Sequence, residues 1–278
     1  MADMERRCAY LRPDELRAEL AQHALIYLPV GPLEWHAPHL PVGTDPLHAE
    51  QAALAASKKT GGLVYPCLYW GTERERSSEM LDWIGLEPGQ WVVGMDFAPD
   101  GLPSHYASED IFGLVVREQL RLIFRWPVKL VVIVSGHGAT NHLQVLERLA
   151  AEYSAANSKT MLVLPFVSGE NGIMRVGHAS RIETSSMLHL LPESVNLELL
   201  PAAEKPLQNV DWAVVDYITF SGQPDARRIV SADDDPRAST AQEGQRVFQA
   251  AVDHIVEQVN AEVKKNSKGS PKGGNPNE

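Results

Sequence analysis

Two periods, near 3.6 and near 2, alternate in the apolar and polar positions of the chain, and each switch marks an element. Asp14 to about His23 (DELRAELAQH) has helical spacing after Pro13 and leads into ALIYLPV (24–30), an apolar run of the length of a buried strand. The Pro- and Gly-rich stretch GPLEWHAPHLPVGTD separates it from a second helical pattern, PLHAEQAALAASKKTGG, closed by Lys58, Lys59 and Gly61. LVYPCLYW (63–70) reads as a strand, and Pro66 confines it to an edge or a short element because proline cannot donate to a ladder. Residues 71–104 mix charge, Trp83, Trp91 and turn dipeptides without a steady period, which predicts a long functional excursion. Helical spacing returns over 104–126, with Ser108, Glu109 and Asp110 suited to the start and Pro127 shortly past the end.

The continuous β-branched run KLVVIVS (129–135) then predicts a strand, the turn GHGATN follows, and HLQVLERLAAEYSAA reads as a helix. TMLVLPFVS (160–168) repeats the strand signal, and GENGIMRVGHASRIETSSMLHLL carries the chain into another short helix. Strands alternating with helices predict an α/β fold with a mostly parallel sheet covered on both faces. Residues 204–239 are polar, with only AVVDYITF (213–220) strand-like. Residues 238–265 form an amphipathic pattern whose stripe is Val247, Ala250, Ala251, Ile255 and Val259. NSKGSPKGGNPNE (266–278) has almost nothing to bury and is expected to be disordered, leaving one domain over 1–265.

Composition narrows the function classes. The 278 residues with 44% hydrophobic content can bury a full core. A net charge of -11 without a clustered basic face argues against nucleic acid as partner. Cys8 and Cys67 lie far apart and form no C-x-x-C, so neither a disulfide framework nor a thiolate zinc cluster is implied. The N-terminal stretch carries charges where a signal peptide needs its apolar region, and no run reaches the ~18 apolar residues of a spanning helix. The expectation is a cytoplasmic protein without a membrane partner.

Candidate chemistry concentrates in residues 28–50, where Glu34, His36, His39, Asp45 and His48 crowd behind the first strand. Carboxylates and imidazoles are ligands that Zn²⁺ and Mn²⁺ accept, so a metal site is the first hypothesis. Asp45 before Pro46 also reads as a helix cap followed by a first-turn proline. In a parallel sheet the loops leaving the carboxyl ends of the strands lie side by side. Glu34 and His36 follow one strand, His137 follows another, and His178 with Glu183 follows a third. Glycines in SGHGATN admit an anion-cradle reading, but Asn141 stands where the last glycine of G-x-G-x-x-G belongs and no Gly-Lys-Ser/Thr is present. Neither G-x-S-x-G nor H-E-x-x-H occurs.

Four stretches, LPVGPLEWHAPHLPVGTD, VSGHGATNH, GHASRIETS and ADDDPRASTAQEG, resemble the creatininase (creatinine amidohydrolase) family in order and spacing over roughly residues 24–260. The resemblance implies a three-layer α/β/α sandwich, homo-oligomeric with a hexamer among the sizes, and a metal-dependent hydrolase of cyclic or small amides. It implies two divalent ions per chain, Zn²⁺ or Mn²⁺ with Fe²⁺ as a further option. Glu34, His36, Asp45 and His137 fall on the family's ligand positions, with Asp45 bridging. The family's glutamate two residues past the turn histidine is replaced here by Ala139, and Glu183 is the candidate substitute. Glu183 also reads as a carboxylate favouring a helix dipole. His178 is the candidate proton shuttle, or else a hydrogen-bonded loop histidine, and His39, His48 and His142 read as structural. The turn GHGATN is one residue longer than in many relatives, and the family's Phe-Pro-Gly-Thr turn is missing from residues 71–91. Two rival functions remain: hydrolysis of a carbon–carbon bond in a cyclic diketone, and a non-catalytic metal-binding interaction subunit.

Overall fold

The computed structural model describes residues 4–84, 86–96, 102–157, 160–165, 177–207 and 229–268. Its strands are β1 (Leu25–Val30), β2 (Leu63–Val64), β3 (Leu130–Ser135) and β4 (Thr160–Pro165). Its α-helices are α1 (Pro13–His23), α2 (Thr44–Thr60), α3 (Ser78–Ile84), α4 (Glu109–Ile123), α5 (Thr140–Asn157), α6 (Arg181–Leu190) and α7 (Ala241–Lys268).

The four strands pair in the order β2-β1-β3-β4, all parallel. The β1–β3 ladder runs from Leu25 opposite Leu130 to Val30 opposite Ser135, so both strands end level. Alternation along β1 divides the core. Ile26, Leu28 and Val30 join Val131 and Ile133 under α1, α4 and α5, where Leu20, Phe112, Val116, Leu120, Leu146 and Leu149 meet them. Leu25 and Tyr27 join Val132 and Val134 on the other face, under Ala49, Ala52, Ala53 and Ala56 of α2 and Ala251, Ile255 and Val259 of α7. Side chains such as Ile26, Leu28 and Phe112 are fully buried, and each contributes about 1.5–3 kcal/mol. The expected three-layer α/β/α arrangement is therefore what the chain forms. The alanine face of α2 lets that helix lie close on the sheet and brings its first turn to the ends of β1 and β3.

Two boundaries follow the sequence reading and one does not. The stretch 63–70, which Pro66 confines to an edge or a short element, forms the two-residue edge strand β2, with an isolated bridge from Val30 to Leu68 beyond the proline. The helix of 104–126 begins at Glu109, among the residues suited to its start, after an extended Ser108. Helix α7 continues through Lys268, three residues into the stretch expected to be disordered. AVVDYITF (213–220) and the end of TMLVLPFVS (166–168) lie outside the described residues. The unreadable stretch after residue 70 contains α3, an antiparallel bridge from Glu75 to Val93, and a parallel bridge from Gly71 to Tyr106. No helix among the described residues is long and apolar enough to cross a membrane.

Candidate metal centre

Strand order reverses between β1 and β3, since the chain leaves β1 toward β2 on one side and later fills β3 and β4 on the other. Such a switch point opens a crevice beyond the strand ends. Glu34 and His36 lie in the loop leaving β1, His137 lies two residues past β3, and Asp45 comes from the first turn of α2. His178 precedes α6, and Glu183 sits in that helix's first turn.

Two glycines let these elements close up. A Cβ on Gly136 would lie 1.9 Å from the Asp45 carbonyl oxygen, and one on Gly31 would lie 2.9 Å from the Asp45 Cβ. The Gly in the Ser-Gly-His turn is thus a close-approach residue for α2 rather than part of an anion cradle. Gly43, not Asp45, occupies the cap position of α2, so the Asp45 carboxylate is left for the crevice.

The donor atoms converge. Asp45 Oδ1 lies 3.2 Å from His36 Nε2, while Asp45 Oδ2 lies 2.9 Å from His137 Nδ1. Glu34 Oε2 is 3.4 Å from His137 Nδ1, 3.7 Å from His36 Nε2 and 3.7 Å from His178 Nδ1. Glu183 Oε1 is 3.5 Å from His36 Nε2, and its other oxygen accepts from the Ala179 amide at 2.5 Å. Glu183 thus holds the turn that leads into its own helix and faces the crevice at once. Three sets of donors each fit within 4.8 Å: Glu34, Asp45 and His137; His36, Asp45 and Glu183; and Glu34, His36 and His178.

Hydrogen bonds behind the site orient each ring. His36 Nδ1 donates to the Glu34 carbonyl at 3.0 Å, which turns Nε2 toward the three carboxylates. His178 Nε2 donates to the Trp35 carbonyl at 2.5 Å, leaving Nδ1 as the bare nitrogen on the Glu34 side. The His36 and His178 rings lie 4.1 Å apart. Ser135 Oγ gives its proton to the His137 carbonyl at 2.7 Å and receives the His142 Nε2 proton at 3.1 Å, and His142 meets the His137 ring edge-on. His39 Nε2 lies 2.8 Å from Thr184 Oγ1. Ala37 and Ala179, each next to a histidine of the cluster, hold positive φ of 58° and 51°. Non-glycine residues adopt that conformation only where their surroundings impose it.

Electrostatics fits a cation-binding centre. Burial opposes the charge on Asp45, but His36 and His137 override it and hold its carboxyl far below the usual range. Burial likewise opposes the charge on Glu183, and His36 chiefly holds it down to about 2. Glu34 is also lowered, against its burial, by His137 and His178. Burial disfavours the cationic imidazoles, yet Glu183 and Asp45 raise His36 well above its ordinary value, and Glu34 and Asp45 do the same for His137. His178 goes the other way, lowered by burial and by His36. Three buried carboxylates that recruit protonated imidazoles form a donor set suited to divalent ions, because a metal supplies the positive charge and frees the imidazole lone pairs.

All six residues singled out from the sequence, Glu34, His36, Asp45, His137, His178 and Glu183, fall within this cluster. One neighbour was missed: the hydroxyl of Tyr106, which lies in the run 104–126 read as helical but ahead of its helix start, donates to Glu34 Oε1. A single tyrosine 72 positions from its partner leaves no sequence signal.

An α/β/α sandwich with a buried carboxylate–imidazole cluster at its switch point defines a class of metal-dependent hydrolase folds. The family model for creatininase (creatinine amidohydrolase) matches residues 9–90 and 93–259, and the chain belongs to that family of metal-dependent hydrolases. The resemblance read from the four stretches is thereby borne out. A curated relative, a mycofactocin precursor peptide peptidase of Mycobacterium ulcerans (strain Agy99), is 25% identical over 249 residues, 84% of each chain. Among solved structures, a manganese creatininase matches at TM-score 0.63 and 20% identity, covering 93% of this chain and 99% of that one. A mutant creatininase of Zn–Zn type matches at TM-score 0.63 and 20% identity, covering 93% and 98%. At these identities the solved structures establish the shared fold.

Proposed function

We propose that the centre holds two divalent ions, Zn²⁺ or Mn²⁺, and hydrolyses a C–N bond of a cyclic amide or related small amide. One ion would be held by Glu34 and His137, the other by His36 and Glu183, with Asp45 between them. The carrying observation is the split of Asp45, whose two oxygens face two different histidines at 3.2 and 2.9 Å. Charge supports two ions: a single divalent ion would leave one of the three carboxylate charges uncompensated, whereas two ions exceed them by one charge, which an anionic oxygen would balance. Glu183 supplies the carboxylate that Ala139 cannot.

When bound, such a pair polarises a carbonyl oxygen and lowers the pKa of a water to roughly 7. The chain's own contribution is proton handling and exclusion of water. The cluster is buried, and His178 is its more exposed histidine, with 14% of its side chain accessible. With Nε2 committed to the Trp35 carbonyl, His178 takes the water proton at Nδ1 and returns it to the departing nitrogen as the C–N bond breaks. The water oxygen ends on the carbonyl carbon as a carboxylate, and the nitrogen, still tethered to it in the opened ring of a cyclic amide, keeps the proton. This reading includes a cytoplasmic homo-oligomer acting on a small-molecule substrate.

The named activity of the curated relative favours a second reading, a peptide amide as substrate. Product analysis separates the readings. The protein loaded with Mn²⁺ or Zn²⁺ is incubated with cyclic amides, short peptides and cyclic diketones, and the amino groups freed, tethered in an opened ring or on a separate fragment, are measured. Amine from a cyclic amide supports the first reading, and amine from peptides supports the second. Ring opening of diketones without amine release overturns both, and turnover of none of the three leaves the non-catalytic subunit as the surviving reading. His178→Gln should lower kcat by ~10²–10⁴-fold while both ions stay bound.

A further inference from the structure

We propose that Tyr106 is a positioning residue of the metal centre: its hydroxyl, delivered by the loop before α4, ties back one oxygen of Glu34 and leaves Oε2 alone facing the histidines. The proposal rests on the two-ion reading above. Tyr106 Oη donates to Glu34 Oε1 and accepts from the Met95 amide at 3.3 Å. A phenol has one proton, so the bond received from Met95 directs that proton to Glu34. The other carboxylate oxygen then lies 3.4 Å from His137 Nδ1.

The loop carrying Tyr106 is fastened along the Glu34 loop on both sides of this contact. The His105 amide donates to the Leu33 carbonyl at 2.7 Å, and the Trp35 amide donates to Ser104 Oγ at 3.0 Å. Ser104 is itself held by Asp96 Oδ1, which accepts from its amide at 2.9 Å. Residues 33–35 are therefore matched one by one by residues 104–106. Gly94 makes room for the ring: at φ +55° it has no Cβ, and one would fall 2.6 Å from Tyr106 Cε2 and 2.7 Å from its Oη. The Tyr106 and His137 ring centroids lie 6.2 Å apart, so the phenol borders the pair of ligands assigned to one ion only. The segment between the excursion of 71–104 and α4 thus contributes a hydroxyl to the centre, and it acts on the ion held by Glu34 and His137 rather than on the one held by His36 and Glu183.

The test strips the full-length protein of metal and titrates Zn²⁺ and Mn²⁺ against a chromophoric chelator, using wild type, Tyr106→Phe, Gly94→Ala and Glu34→Ala. Cobalt(II) spectra of each variant report ligand geometry. Tyr106→Phe should still take two ions, one with wild-type affinity and the other weakened by ~10–100-fold, with an altered Co²⁺ spectrum. Gly94→Ala, which keeps the hydroxyl but displaces the ring, should weaken the same ion and carries the test alone if Tyr106→Phe folds poorly. Two unchanged affinities and an unchanged Co²⁺ spectrum in the folded variants overturn the proposal and leave the two-ion reading standing. Failure of wild type to bind two ions, or of Glu34→Ala to lose one, overturns both.

Discussion

Glu183 shows how one side chain can satisfy two demands that compete on paper. As a residue in the first turn of α6 it reads as a dipole-favouring carboxylate, and its Oε2 does accept from the Ala179 amide in the turn leading into that helix. Its Oε1 nevertheless faces His36, because Ala179 at φ 51° turns the chain so that the helix start points into the crevice. Spacing gives the residue types, whereas the direction of each oxygen depends on contacts far away in sequence. His39 illustrates the opposite case, a histidine that the fold keeps neutral. Burial lowers it from 6.5 to about 4, with His36 and His178 adding to the effect against Glu183. Because its folded value lies below its unfolded one, the unfolded chain takes up the proton first as pH falls, and stability is lost between about 6.5 and 4. Denaturant titrations at pH 7 and pH 5 should differ by about 2 kcal/mol from this group. In His39→Gln the difference between the two pH values should shrink by that amount; an undiminished difference contradicts the assignment.

At the scale of elements, the sandwich was legible where a segment is apolar along its whole length. The runs at 24–30 and 129–135 became β1 and β3, and the run at 160–168 supplied β4 over 160–165, because continuous apolar runs between helical patterns have few alternatives in a parallel sheet. The stretch 63–70 formed the short edge strand β2, as Pro66 in its middle led one to expect. Residues 71–104 were illegible because their order comes from distant partners, such as Pro32 beside Gly71 and Trp35 bonded to Ser104, not from local periodicity. Close approach between helices was equally hidden. Gly244 of α7 lies so near α6 that a Cβ would sit 1.8 Å from the Ser185 carbonyl oxygen. Arg181 and Ser185 of α6 both reach Glu243 beside it, at 2.8 and 3.1 Å. Gly244→Ala should therefore force α6 and α7 apart, costing about 2–4 kcal/mol in denaturant titration and displacing Glu183 with its helix. A loss under about 0.5 kcal/mol would show that the two helices separate freely.

For the whole molecule, the order of residues along the chain gives no hint that six of them share one crevice; parallel topology does. Glu34, Asp45, His137 and Glu183 span about 150 positions, yet β1 and β3 end level, α2 lies over their ends, and α6 packs against α7 on the same side. An acidic chain of net charge -11 concentrates three of its carboxylates there without lysine or arginine hydrogen-bonded to them among the described residues. That arrangement is tolerable only with compensating cations. Membership in the creatininase family fixes the class of chemistry, while the excursion over 71–104 and Ala139 mark where this chain departs from the pattern expected of that family.

The central claim is that this crevice holds two ions bridged by Asp45, and elemental analysis of metal per chain tests it most directly on wild type, Glu183→Ala and Asp45→Ala. Close to two ions in wild type, about one in Glu183→Ala and almost none in Asp45→Ala is the result expected of a bridged pair. Full metal content in a folded Asp45→Ala protein, or one ion in both wild type and Glu183→Ala, would contradict it.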